Sequence, residues 1–263
     1  MNRITKSFGK KLILNDIEFN INSCTLILGE NGSGKTTLFK ILSGLIKKYS
    51  GEIETNDNVS VLLDLPCFYL FQTGYSNLEY FLNKDELKKA EKYIEYFEMD
   101  SYINNLVKSY SNGMKKKLAL VLAFSRNKEY LLLDEPTNSL DNQSIELLKE
   151  LLIKEKENKK IFIASHDIKI FDNNLIEQII LLKKTKIYSI DVSSLDFIYY
   201  KIKTINAIFS SNYSFKVIDD YFVFKIFKNE IIEFSNWVSQ YKLLEMIKLD
   251  LCDPLYLEDF YND

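Results

Sequence analysis

Short apolar runs that stop abruptly at polar clusters set the pattern of this chain. Thr25-Leu-Ile-Leu28 stops at Gly29, Tyr130-Leu-Leu-Leu133 at Asp134-Glu135, and Ile161-Phe-Ile-Ala164 at Ser165-His166-Asp167. Unbroken runs of this length predict strands buried on both faces, as in a parallel sheet. After the first run, Leu38, Ile41, Leu42 and Leu45 recur at helical spacing, so that stretch reads strand, loop, helix. Ser76 to Lys108 also carries helical spacing, with Leu87, Ala90, Ile94 and Phe97 on one face. Ser111 is placed to cap a further helix with Leu118, Val121 and Leu122 on one side. From about Ile190 the pattern changes. Alternation through Tyr213 to Ile218 and Tyr221 to Phe227 around Asp219-Asp220 predicts a hairpin; Glu230 to Tyr241 reads as a helix, Leu243 to Leu251 as a strand, and Asp253-Pro254 starts a last short helix.

Composition narrows the class. A chain of 263 residues can bury a substantial core, and the change of pattern favours one domain plus a smaller appendage. Even mixing of 34 Lys+Arg with 37 Asp+Glu, net −3, gives no basic field of the kind a nucleic-acid binder shows. No apolar run approaches a bilayer span, the longest being pieces such as Leu118 to Phe124 and Ile179 to Leu182, so a partner would have to supply one. Lys6, Lys10 and Lys11 break up the first residues, which do not read as a signal peptide. Cys24, Cys67 and Cys252 lack metal-ligand spacing and read as reduced, buried, small apolar residues in the cytoplasm.

Gly29-Glu-Asn-Gly-Ser-Gly-Lys-Thr-Thr37 matches GxxxxGK[ST] between a strand and a helix, the context that gives the motif meaning. Its glycines let successive N–H groups converge on phosphate oxygens at a positive helix terminus. Lys35 would reach the terminal phosphates and the Thr36 hydroxyl would hold Mg2+. If strand geometry persists through Asp134-Glu135, the two carboxylates point to opposite faces, Asp134 toward the metal through water and Glu135 toward the attacking water. His166, the one histidine, also comes directly after a strand, and ligands gather beyond the carboxyl ends of parallel strands. It is then a candidate γ-phosphate contact. Ser111 and the amides around Gly113 form a second phosphate-binding helix terminus, which one nucleotide hardly needs twice from one chain. Lys115, Lys116 and Lys117, unfavourable at a positive dipole end, read as a solvated charge run.

On these motifs the chain resembles the ATP-binding cassette (ABC) ATPases, from about Asn2 to Leu182. Gly29 to Thr37 looks like the Walker A loop, Leu131 to Glu135 the Walker B strand, Tyr110-Ser-Asn-Gly-Met114 the signature, Ser139-Leu-Asp141 the D-loop and His166 the switch histidine. The resemblance implies an α/β P-loop NTPase cassette, a mixed sheet core with a helical subdomain at about 75–128, filling residues 1–190. It implies ATP and Mg2+ as cofactors, with Lys35, Glu135 and His166 catalytic. Thr36, Asp134 and Asp64 stand on the metal side. Phe8, Gly29, Asn31, Gly32, Ser33, Gly34, Lys35, Thr36, Thr37, Ser111, Gly113 and Asp141 are the nucleotide-contacting set. Phe8 matches the position that stacks on adenine, a core phenylalanine being the alternative.

The family pairs two cassettes head to tail, each signature closing over the other's ATP, beneath an integral membrane permease at the inner face of the cell membrane. No nucleic-acid partner is expected. Asn112 and Met114 depart from the consensus while Ser111 and Gly113 keep it. Counting back from Thr73-Gly-Tyr-Ser-Asn-Leu78, the expected Q-loop glutamine falls on Asp64, whose carboxylate would ligate Mg2+ or water and couple differently to a permease. Acidic residues there are similar to those of exporters that protect against peptide antibiotics. The α+β tail, residues 191–263, looks like the extension of ABC-2 type exporter cassettes. The alternative is a soluble ABC ATPase acting on nucleic acid, ribosome or cofactor assembly; neither the long coiled-coil insertion nor the second fused cassette of such proteins is present.

Overall fold

The computed structural model describes residues 2–20, 24–30, 32–55, 58–63, 67–165, 175–183, 185–192, 197–204, 213, 215–218, 220–239, 241 and 243–249. The chain divides into two compact units, Met1–Ile190 and Asp191–Asp263.

In the first unit the strands are β1 (Asn2–Phe8), β2 (Lys11–Phe19), β3 (Cys24–Leu28), β4 (Ser50–Glu52), β5 (Val59–Leu62), β6 (Tyr130–Asp134), β7 (Lys160–Ser165), β8 (Gln178–Lys183) and β9 (Lys186–Asp191). The helices are α1 (Lys35–Leu42), α2 (Gly74–Phe81), α3 (Lys84–Tyr96), α4 (Asn112–Ser125) and α5 (Asn142–Glu155). A six-stranded sheet runs β5-β6-β7-β3-β8-β9, and β5/β6, β6/β7, β7/β3 and β3/β8 all pair in parallel. A second, antiparallel sheet runs β2-β1-β4.

The three unbroken apolar runs are the adjacent strands β6, β7 and β3. Every residue of β3 and β6 is buried, which is why neither run alternates. Because the three are parallel neighbours, their carboxyl ends share one edge of the sheet, and Gly29, Glu135 and Ser165 emerge together there. Leu38, Phe39, Ile41 and Leu42 of α1 pack against Ile4, Leu14, Leu132 and Phe162, so the helix after the glycine-rich loop is anchored to both sheets. Each such side chain, fully buried, contributes about 1.5–3 kcal/mol.

The stretch from Ser76 to Lys108 is two helices and a turn, not one continuous pattern. Leu82 adopts an extended backbone after α2, and Asn83 and Glu86 then form a capping box that starts α3. Glu98, with φ 57, turns the chain out of α3. Ala90, Ile94 and Phe97 are buried as their spacing predicts, and Leu87 is half-buried.

The second unit contains β10 (Phe197–Thr204), β11 (Phe215–Ile218), β12 (Tyr221–Phe227), α6 (Ile231–Val238) and β13 (Leu243–Lys248). Its antiparallel sheet runs β11-β12-β10-β13. Phe234 and Val238 of α6 pack on Ile202, Phe224 and Ile226. Ile218 pairs with Tyr221, closing the β11/β12 ladder where the alternation predicts a hairpin. The helix is shorter than Glu230 to Tyr241, and the last strand ends at Lys248 instead of Leu251. The helix expected at Asp253-Pro254 lies outside the described residues.

Candidate functional site

The loop between β3 and α1 is bent by Gly32, φ 82, and Gly34, φ 113, conformations that L side chains rarely adopt. Gly34 is also the N-cap of α1 and, having no side chain, gives the first amides of the helix no capping bond. The Ser33 hydroxyl is buried with no hydrogen-bond partner among the described residues. Uncapped amides and an orphaned hydroxyl in one loop suit phosphate oxygens. Lys35 is 6% exposed and donates to Gly29 O at 2.5 Å and Glu30 O at 3.3 Å, folding across the loop that a phosphate would enter. Burial pushes its ammonium below the ordinary lysine range, against the opposing pull of Glu135 and Asp134.

Across from the loop, Thr36 Oγ1 donates to Asp134 Oδ2 at 2.7 Å. A hydroxyl and a carboxylate oxygen in contact, beside a phosphate cradle, are groups that would hold Mg2+, the hydroxyl directly and the carboxylate through water, with phosphates as its other partners. The residues present therefore fit that ion. β6 ends at Asp134, and Glu135 turns into the left-handed region with φ 47. Strand alternation, expected to separate the two carboxylates, thus stops at Asp134. A local turn sets Glu135 instead. Its N–H still donates to Ala164 O at 2.8 Å, and its Oε2 accepts from Ser165 Oγ at 3.2 Å. Glu135 is 8% exposed, a carboxylate held by the neighbouring strand.

The second cluster lies at the start of α4. Ser111 caps it, its Oγ accepting from Met114 N at 3.2 Å. Asp141 caps α5 likewise, accepting from Ser144 N at 2.8 Å, and that amide holds its carboxyl below the usual range. Ser111, Gly113, Ser139 and Asp141 line a cavity of about 600 Å3, with Tyr102 and Lys117. A Cβ on Gly113 would stand 2.7 Å from Ser139 O, so the two loops touch backbone to backbone.

The lysine run beside this cluster is not a solvated face. Lys116 is 3% exposed, with Nζ 3.5 Å from Asp134 O, and Lys117 Nζ donates to Phe97 O at 3.2 Å. Lys116 is the residue missed from sequence; its spacing from Ala119, Leu120 and Ala123 puts it on the buried stripe of α4. Phe8, at the end of β1, is 51% exposed with the Lys6 ammonium 4.6 Å from its ring centroid, which removes the core alternative. Cys24 is buried, but Cys67 is exposed and does not fill a core position. Asn31, Asp64, His166 and Cys252 lie outside the described residues.

A parallel sheet with a glycine-rich loop feeding a helix, and carboxylates at the end of a nearby strand, defines a P-loop nucleotide hydrolase. Within that class, the ABC transporter family model matches residues 14–138. Lantibiotic transport ATP-binding protein SrtF of Streptococcus pyogenes is 32% identical over 62% of this chain and 77% of its own. The uncharacterized ABC transporter ATP-binding protein MJ1023 of Methanocaldococcus jannaschii is 29% identical over 70% of this chain and 73% of its own. Among solved structures, the dimeric post-hydrolysis state of the ATP-binding cassette MJ0796 bound to ADP and Pi aligns with TM-score 0.63 at 21% identity, covering 74% of this chain and all of that one. The chain belongs to the ATP-binding proteins of ABC transporters: it binds ATP and is an ATPase.

Proposed function

We propose that this chain is the ATPase subunit of an exporter, that residues 1–190 form its nucleotide-binding domain, and that two such cassettes hydrolyse MgATP at shared sites. The observation that carries the ATP chemistry is the 2.7 Å contact between Thr36 and Asp134 beside the glycine-rich loop. In this reading the loop amides from Gly29 to Thr37, Asn31 and Ser33 included, hold the phosphates, and Phe8 stacks on adenine. Lys35 exchanges its loop carbonyls for phosphate oxygens. Thr36 and Asp134 hold Mg2+, and the family resemblance adds Asp64 to the metal side; the ion when bound neutralises charge on the phosphates. Glu135 orients and deprotonates the attacking water, Ser165 fixes the Glu135 carboxylate, and His166 contacts the γ-phosphate.

Ser111, Gly113 and Asp141 serve the ATP of the second cassette, because a chain has no evident use for two phosphate cradles on one nucleotide. The similarity to a lantibiotic transport protein supports export. Among the described residues no helix is long and apolar enough to cross a membrane, which agrees with peripheral attachment through a permease at the inner membrane face. The exposed side chains of Tyr69, Leu70, Phe71 and Tyr80, gathered at the start and end of α2, are the docking surface we assign to that permease.

The test is phosphate release by the purified chain and by Glu135→Gln. Loss of a general base lowers turnover by roughly 100-fold or more while ATP binding survives. Wild-type turnover in Glu135→Gln would overturn the catalytic assignment. Recovery of the chain from native membranes with an integral membrane protein supports the exporter reading, and recovery with ribosomes or DNA would sink it.

A further inference from the structure

We propose that Lys116 is a positioning residue for Glu135, acting through the peptide group that joins Asp134 to Glu135. The proposal rests on the reading of Glu135 as the base that activates water. That peptide group is held at both ends. Its N–H, on Glu135, donates to Ala164 O at 2.8 Å, and its carbonyl, on Asp134, faces Lys116 Nζ at 3.5 Å. At 3.5 Å the bond is long, so the attraction of an ammonium for a carbonyl dipole matters more than hydrogen-bond geometry. Lys116 is 3% exposed, and desolvation of an ammonium magnifies that attraction.

The peptide plane needs holding because it leads into a strained residue. Glu135 is a non-glycine residue at φ 47, a conformation that persists only where its surroundings enforce it. With Lys116 removed, one of the restraints on the plane is lost while the bond to Ala164 O stays, so Glu135 is less firmly held at its left-handed φ and its carboxylate is less firmly placed against Ser165 Oγ, 3.2 Å away. Lys116 is thus set to act on Glu135 without touching the reacting atoms. It also sits in the first turns of α4, whose N-terminus is Ser111 to Gly113. A shift of that terminus when phosphate meets it would be felt, through Lys116, at the chain's own Glu135. The signature of one site is then geared to the base of another.

The experiment compares Lys116→Met, Lys116→Arg, Glu135→Gln and the double variant Glu135→Gln/Lys116→Met in the full chain, measuring kcat and KM for ATP. Lys116→Met should lower kcat roughly tenfold or more with KM within about twofold, because transition-state positioning is lost and ground-state binding is not. Lys116→Arg should restore most of the rate. Adding Lys116→Met to Glu135→Gln should lower the rate no further, the mark of two residues acting through one group. Should Lys116→Met not fold, Lys116→Gln is read by the same kcat against KM split. Wild-type kcat in the Met variant, equal losses in kcat and KM, no rescue by Arg, or an additive double variant would each overturn the proposal. If Glu135→Gln alone turned over like wild type, the assignment of Glu135 would fall first, and that outcome is separately visible.

Discussion

The Thr36 hydroxyl and the Asp134 carboxylate, 98 positions apart in sequence, meet at 2.7 Å. The first turn of α1 is thereby joined to the last residue of β6. Replacing Thr36 with Val keeps the shape and removes the oxygen. In our reading nucleotide affinity in the presence of Mg2+ should fall about tenfold, while affinity in EDTA changes little, since only the metal-linked part is lost. Titration calorimetry under the two conditions decides it. An equal fall in both would make the contact structural.

Asp141 gives a pH test at the other cluster. The Ser144 amide holds its folded carboxyl below the ordinary value. A depressed pKa contributes stability that is present above the unfolded value, about 4, and is lost as pH falls through the folded one. Asn caps as well as Asp without titrating, and Ala does not cap. Asp141→Ala should therefore cost about 1 kcal/mol at neutral pH, and Asp141→Asn far less. Melting temperatures from pH 7 down to pH 3 should show the wild-type advantage over Asp141→Ala shrinking at the acid end, while Asp141→Asn stays parallel to Asp141→Ala. A constant gap for wild type would contradict the charge-assisted cap.

The permease surface can be separated from catalysis. Phe71 is 76% exposed, with the Lys108 ammonium 5.3 Å from its ring centroid. Such an aromatic side chain typifies an interface anchor, whose loss costs about 2 kcal/mol or more of binding. Phe71→Asp should leave ATP turnover of the purified chain near wild type and sharply reduce its recovery with native membranes. Undiminished membrane recovery would move the docking surface elsewhere.

The strand-end sites were legible because three features coincide in the sequence. Apolar runs mark buried parallel strands, polar clusters come directly after each run, and parallel neighbours must share an edge. Lys116 is hidden because a run of three lysines carries the signal of a solvated face, while its position, at helical spacing from Ala119, Leu120 and Ala123, belongs to the buried stripe. Glu135 escaped in part, since a left-handed turn at a glutamate has no sequence signature and is imposed by the ladder bond to Ala164 and the contact with Ser165. The break between α2 and α3 was written in Asn83 and Glu86, a capping-box spacing, yet helical periodicity runs across it and hides it.

Gly113 carries the last prediction. Its missing Cβ would stand 2.7 Å from the Ser139 carbonyl, so any side chain drives α4 and the turn before α5 apart. Ser139 itself sits at φ 68, which leaves the turn little room to yield. If Ser111 and Gly113 serve the ATP of a second cassette, Gly113→Asp adds a negative charge where phosphate must arrive, besides the displacement. Gly113→Ala adds the displacement alone. Both variants should bind ATP as monomers with near wild-type affinity, because the loop from Gly29 to Thr37 is untouched. Neither should form the ATP-dependent dimer in a Glu135→Gln background, and Gly113→Asp should be the more severe. Light scattering with and without ATP measures the dimer, and equilibrium binding of a fluorescent ATP analogue measures the site. Loss of monomer binding together with the dimer would mean that the signature acts within its own chain.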